Sequence, residues 1–180
     1  MNRMTPVTVD SADPVATPIL EGFKTQYGMI PNFFAALGVD GASLSAYLNF
    51  AKALEENDLL TERLREMIAL AVANANGCHY CVSGHTFSGK KAGLSPEDCI
   101  AAQCGKAEDA REQAALTLAL RLIEARGHLE DAELAGAREA GLSEPQIVQI
   151  CAWTGLNAFS NWINNLARPK IDFPKVPLQP

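Results

Sequence analysis

The sequence lacks any long hydrophobic run. No stretch approaches the ~20 apolar residues that a membrane helix needs, so no membrane-spanning segment and no membrane partner are expected. It also lacks a block of Lys or Arg, and its formal net charge is −6, which sets nucleic acid and anionic membrane aside as partners. The opening MNRMTPVTVD has no apolar core of the kind a secretory signal carries. The expected compartment is therefore the cytoplasm, where thiols stay reduced and a disulfide is usually transient and catalytic. No alternating apolar pattern of a β-strand is present. The five cysteines are odd in number and unevenly spread, which argues against a structural disulfide framework. What remains is an ordinary globular composition, 48% hydrophobic and 20% charged, in a 180-residue chain that suits one domain with a sizeable core.

Almost every segment that is present carries helical periodicity. Residues 17–27 predict a helix with Thr17 as N-cap and Pro18 at the first position, stopped by Gly28. MIPNFFAALG predicts a turn followed by a short apolar helical piece, and residues 42–56 carry Leu44, Tyr47, Leu48 and Ala51 on one stripe. The helix from Thr61 has Leu64, Met67, Ile68, Ala71, Val72 and Ala75 on one face. Its other side, Ala69, Leu70 and Ala73, is apolar as well and shares a row with Glu66. A helix apolar on both sides is buried, which leaves Glu66 as a carboxylate at risk of desolvation. KKAGLSPEDCI and REAGLSEPQIV each run Ala-Gly-Leu-Ser into a new helix, with Ser95/Asp98 and Ser143/Gln146 spaced as capping boxes, and predict two similar helix–turn–helix units. Residues 108–126 and 144–167 predict two further long helices.

Asn76-Gly77 ends the buried helix, and ANGCHYCVSGH follows at once. If Cys78 opens a helix, Cys81 at i+3 and His85 at i+7 share its stripe, and Cys81 faces His85 across one turn. A thiol near a helix N-terminus is acidified by free backbone N–H groups, and a nearby imidazole can take its proton. A second thiol one turn away can then close a disulfide on an oxidised first one. At ~1.5 Å per residue, an antiparallel turn at Asn76-Gly77 places Glu66 roughly 16 Å down one helix and His85 roughly 12 Å along the other, at a similar level. The spacing therefore allows a carboxylate–His–Cys relay. Other readings stay open on these residues alone. A C-x-x-C pair can be fortuitous core filling, and Cys99 with Cys104 could complete a four-cysteine zinc site, although Cys99 sits where a small buried hydrophobe is expected. Haem attachment is excluded because Val82 follows Cys81 where that motif needs histidine. His79 and His128 are expected in solvent, and Cys151 in the core beside Ile147, Ile150 and Thr154.

The run from Glu66 through Cys78-His-Tyr-Cys81 to His85, together with PNFF near the start and GLNAFSNWINNLA near the end, resembles the alkylhydroperoxidase D-like peroxidases of the carboxymuconolactone decarboxylase-like superfamily over roughly residues 30–167. The resemblance implies an all-α, single-domain helical bundle that self-associates into trimers, hexamers or similar. It also implies thiol peroxidase activity without a cofactor or metal, on a hydroperoxide substrate, with an external dithiol or disulfide-reducing protein as partner. By this likeness Cys81 is the peroxidatic thiol, Cys78 its resolving partner or proton donor, and His85 with Glu66 the relay. Tyr80 stands where the best-known peroxidases place a histidine, and its phenol is a candidate substitute in the relay. The decarboxylase branch lacks the cysteine pair, so the pair favours redox chemistry. The alternatives are decarboxylase-like or disulfide reductase activity on the same scaffold, or a non-catalytic helical protein with structural or redox-sensing cysteines.

The expected organisation is an N-terminal extension over 1–16, the helical domain over 17–168 and an arm over 169–180. Prolines 169, 174, 177 and 180 exclude a helix from this arm. Its Ile171, Phe173, Val176 and Leu178 predict that it packs on a neighbouring subunit. Asn157, Asn161, Asn164 and Asn165 share one face of the last helix and are expected to serve a helix–helix or subunit contact rather than catalysis.

Overall fold

A computed structural model describes residues 2–57 and 59–180. Among the described residues there are nine α-helices and no strand: α1 Ala16–Tyr27, α2 Asn32–Leu37, α3 Gly41–Glu55, α4 Glu62–Ala75, α5 His79–Lys91, α6 Pro96–Gln103, α7 Ala110–Glu124, α8 Asp131–Glu139 and α9 Glu144–Ala167. The fold is all-α, as the periodicity and the resemblance both imply. No helix of the described residues is long and apolar enough to cross a membrane.

The bundle is organised around α4. Met67 to Ala73 are all buried, on every side of the helix, because α5, α6, α7 and α9 surround it. One apolar cluster joins α4 to α6, α7, α8 and α9 through Leu70, Cys99, Leu116, Ala137, Ile150 and Trp153. A second lies under α1, α2, α3 and α5 and contains both Cys78 and Cys81. Thr61 caps α4, its hydroxyl accepting from the Leu64 N–H at 3.2 Å. The two Gly-Leu-Ser passages form matching junctions. Gly93 and Gly141 each take φ +90°, the left-handed region that glycine enters without a Cβ penalty, and Ser95 and Ser143 open capping boxes at the next helices. Leu94 and Leu142 drop from these turns into the same core cluster.

The start of α1 departs from the sequence expectation. Asp13, not Thr17, holds it: one carboxylate oxygen accepts from the N–H groups of Val15 and Ala16, and the other from Gly41, where α3 begins. A carboxylate beside two helix N-termini is favoured by their partial positive charge, and a single hydroxyl cannot span both. These same N–H groups hold the Asp13 carboxyl below the usual carboxylate range. Thr17 instead bonds back to the Asp13 carbonyl. Cys151 is a second departure. It lies on the surface, because its position on α9 turns away from buried Ile150 and Thr154.

The proline-rich arm is extended and lies along its own chain. The Asn32 N–H donates to Asp172, Val176 N–H donates to the Ser83 hydroxyl, and Gln179 exchanges two hydrogen bonds with the Asn74 side chain. Ile171, Phe173, Val176 and Leu178 cover the second apolar cluster. Gly84 makes this possible: a Cβ there would stand 3.2 Å from the Phe173 ring. A half-buried apolar side chain contributes about 1 kcal/mol. After the entropy of ordering the arm is subtracted, removing residues 169–180 should cost about 2 kcal/mol and lower the thermal midpoint by about 4–8 °C. Calorimetry of the chain truncated after Arg168 checks this, and an unchanged midpoint would refute it.

Candidate active site at the α4–α5 junction

The turn that delivers the cysteines is built by local rules. Gly77 takes φ +64°, and the Cys78 N–H reaches back to the Ala73 carbonyl at 2.9 Å, closing the end of α4. Cys78 is the N-cap of α5, and its sulfur accepts the Cys81 N–H at 3.2 Å, the place that a serine or aspartate oxygen usually takes. Cys78 and Cys81 are joined as a disulfide with their Cα atoms 5.3 Å apart. Both are almost wholly buried, at 1% and 4% exposed. The amide stabilisation expected at the helix start thus falls on Cys78, while Cys81 lies one turn in.

The antiparallel return of α5 along α4 brings His85 to Glu66 directly. Nδ1 of His85 lies 2.9 Å from Oε2 of Glu66, with the carboxylate side chain 15% exposed. A carboxylate at Nδ1 holds the proton there and leaves Nε2 as the free nitrogen. His85 and Cys81, one turn apart on α5, both line a cavity of about 630 Å³. Its walls are aromatic: Phe33, Phe34, Tyr47, Tyr80, Phe87 and Phe173 enclose it, and Lys91 stands among them with its ammonium 4.3 Å from the Phe87 ring centre. The volume lies within the range of small-molecule sites.

Tyr80 is tied to the arm. Its hydroxyl donates to Asp172 at 2.6 Å and accepts the Phe33 N–H at 3.2 Å, linking α5, α2 and the arm at one point. Burial and the Asp172 carboxylate push this phenol well above its ordinary range, so it stays a neutral donor. The hydrogen bonds of Tyr80 therefore run to the cavity wall rather than along the Glu66–His85 pair.

The sequence predicts a helix–helix or subunit contact for Asn164, and the structure adds a contact to the cysteine pair. The row on α9 does dock helices: Asn76 at the end of α4 donates to Asn161 at 3.0 Å, and Asn165 donates to the Asn76 carbonyl at 2.8 Å. Asn157 bonds within α9, to the Trp153 carbonyl. Asn164, however, donates through Nδ2 to the Cys81 sulfur at 3.3 Å, and its Oδ1 is buried without a partner. Four carboxamides on one helix face are the signal in the sequence, but nothing local singles out the one that meets the sulfur 83 residues away. Cys99 is buried on α6 and Cys104, just past its end, is exposed, and among the described residues no group of three or more His, Cys, Asp or Glu side chains is placed to hold a metal. His79 and His128 are in solvent.

The model of the carboxymuconolactone decarboxylase family matches residues 42–125, the span that contains Glu66, Cys78, Cys81 and His85. A curated relative, uncharacterized protein 4 in the cox locus of Paracoccus denitrificans, is 32% identical over 77 residues, covering 41% of this chain and 69% of its own length. The chain belongs to the carboxymuconolactone decarboxylase family. Within this family's fold it superposes on a solved structure from Ralstonia eutropha JMP134, described as an alkylhydroperoxidase AhpD core and an uncharacterized peroxidase-related protein. That pair has TM-score 0.83 and 23% identity and covers 95% of this chain and 92% of the other. The debrominase Bmp8, solved with one of its cysteines replaced by alanine and in complex with 2,3,4-tribromopyrrole, is also similar, with TM-score 0.77, 21% identity and coverage of 96% and 94%. These similarities show that the all-α fold extends beyond the matched family span.

A hydrogen bond to a thiolate favours the ionised form. In a Cys78→Ser background, replacing Asn164 by Ala should therefore raise the pKa of the Cys81 thiol by about one unit. The pH dependence of alkylation measures it. No rise would mean that the Asn164 contact carries no charge stabilisation.

Proposed function

We propose that this protein is a thiol peroxidase that reduces organic hydroperoxides through the Cys78/Cys81 pair. The observation that carries the reading is the placement of Cys81 and of the Glu66-anchored His85 in the wall of one apolar cavity. The Cys81 thiolate attacks the terminal oxygen of ROOH. The O–O bond breaks, its electron pair leaves on RO⁻, and a proton delivered by His85 makes ROH. Cys81 is then a sulfenic acid. The Cys78 thiolate attacks that sulfur, the S–O bond breaks, and the hydroxide leaves as water with one proton. The disulfide is the product state, and two reducing equivalents from external thiols, carried by one dithiol or two monothiols, restore both thiols. Glu66 fixes the imidazole and stabilises its protonated form between the two transfers.

A second reading is reductive dehalogenation of a halogenated aromatic ring by the same thiol pair. The similarity in fold to the debrominase Bmp8 and the aromatic lining of the cavity favour it. A panel of alkyl and aryl hydroperoxides and brominated pyrroles, offered to the reduced protein, separates the two readings by which class converts the thiols to disulfide.

Mass spectrometry after one equivalent of the oxidising substrate should show a two-hydrogen loss confined to the peptide with Cys78 and Cys81. Glu66→Gln and His85→Asn should each slow this oxidation by about 10²-fold, the usual worth of a positioned acid–base group, while Glu66→Gln shifts the thermal midpoint by only a few degrees. Oxidation at the wild-type rate in Glu66→Gln would remove that carboxylate from the chemistry.

A further inference from the structure

The disulfide is reached from two sides. Cys81, but not Cys78, lines the aromatic cavity, whereas Cys78, but not Cys81, lines a second cavity of about 550 Å³. This second cavity lies where α5 begins and α9 ends, between Gly77, His79, Asn165, Arg168 and Ile171. Its character differs from the first. No carboxylate lines it, and it holds a guanidinium and an imidazole, in a chain whose net charge is −6. Arg168 is fixed at the end of α9 in the left-handed region, φ +49°, with its N–H on the Asn164 carbonyl at 2.8 Å. None of the ion pairs among the described residues involves it. Asn164, whose Oδ1 is buried without a partner, stands in the walls of both cavities.

We propose that the second cavity admits the reductant, and that it takes a small thiol carrying carboxylate groups. The inference rests on the reading that the disulfide turns over. Thiol–disulfide exchange needs the incoming sulfur in line with the bond it breaks, so attack on Cys78 must come from the side away from Cys81. Cys78 borders this cavity and Cys81 does not. The Arg168 guanidinium draws in an anionic thiol and holds its carboxylate, and the His79 imidazole stands beside it as a further polar contact. In the step, the reductant thiolate forms a bond to the Cys78 sulfur and the Cys78–Cys81 bond breaks. The electron pair goes to the Cys81 sulfur, which leaves as a thiolate held by Asn164 Nδ2 at the position from which it next attacks substrate. A second equivalent of thiol attacks the reductant sulfur of the mixed disulfide. It releases Cys78 as a thiolate that takes up a proton, and the oxidised reductant departs as its own disulfide. Substrate and reductant thus use separate entrances.

The test starts from the oxidised full-length protein under anaerobic conditions, with mercaptosuccinate as the anionic thiol and 2-mercaptoethanol as the neutral one, each quenched with iodoacetamide. Fragment masses should place the mercaptosuccinate adduct on Cys78 and the alkyl group on Cys81. Arg168→Gly removes the charge and suits the left-handed backbone. It should slow mercaptosuccinate by about fivefold or more and leave 2-mercaptoethanol within about twofold, and Arg168→Lys should restore most of the loss. Comparing each thiol with itself across variants cancels the difference in intrinsic reactivity. An adduct on Cys81, no reaction with mercaptosuccinate, equal slowing of both thiols, or no slowing in Arg168→Gly would overturn the proposal. No hydroperoxide enters this assay, so its result stands apart from whether hydroperoxides are the oxidant.

Discussion

A carboxylate inside an apolar bundle must find a partner, and for Glu66 that partner is His85. The contact sets the level at which α5 lies along α4. The turn at Asn76-Gly77 reverses the chain, and the 2.9 Å contact between Oε2 and Nδ1 ties the two helices together at that level. Cys81 takes its place one turn before His85, and the first cavity opens beside both. Pairing serves a half-buried carboxylate and positions the imidazole at once, so the level of α5 and the relay share one interaction. Gly89 supports it from the far end of α5, where a Cβ would come within 2.7 Å of Leu94 and 3.7 Å of the Glu66 Cβ.

The aromatic walls have a separate origin. They come from elements remote in sequence: α2 gives Phe33 and Phe34, α3 gives Tyr47, α5 gives Tyr80 and Phe87, and the arm gives Phe173. Tyr80 joins three of these elements, since its hydroxyl meets both Asp172 and the Phe33 N–H. Asn32 reinforces the same point by bonding to Asp172 through its backbone and to Lys170 through its amide. The cavity is therefore a product of tertiary assembly, while the thiol pair is a product of local helix geometry.

This division explains what could be read in the sequence. The Cys-x-x-Cys-x-x-x-His spacing, the Thr61 cap, the twin Gly-Leu-Ser junctions and the levelling of Glu66 with His85 follow from helix periodicity and rise, which act over a few turns. The Asn164–Cys81 and Tyr80–Asp172 contacts span 83 and 92 residues and have no local signature. The arm shows its apolar side chains but not their destination. The Gly84 groove that receives Phe173 is a missing side chain on another helix, and a missing side chain reads in a sequence as mere permissiveness. Asp13 is silent for a similar reason. Its worth comes from Gly41, a helix start 28 residues away that shares the same carboxylate.

Phe173 belongs at once to the arm and to the cavity wall. A ligand resting against that ring adds to the free energy holding the arm in place, and an arm that lifts takes part of the binding surface with it. Occupancy and arm docking are therefore linked quantities in the thermodynamic sense. The backbone N–H groups of Val176 and Gln179, which close onto Ser83 and Asn74, should exchange with solvent more slowly as the cavity fills.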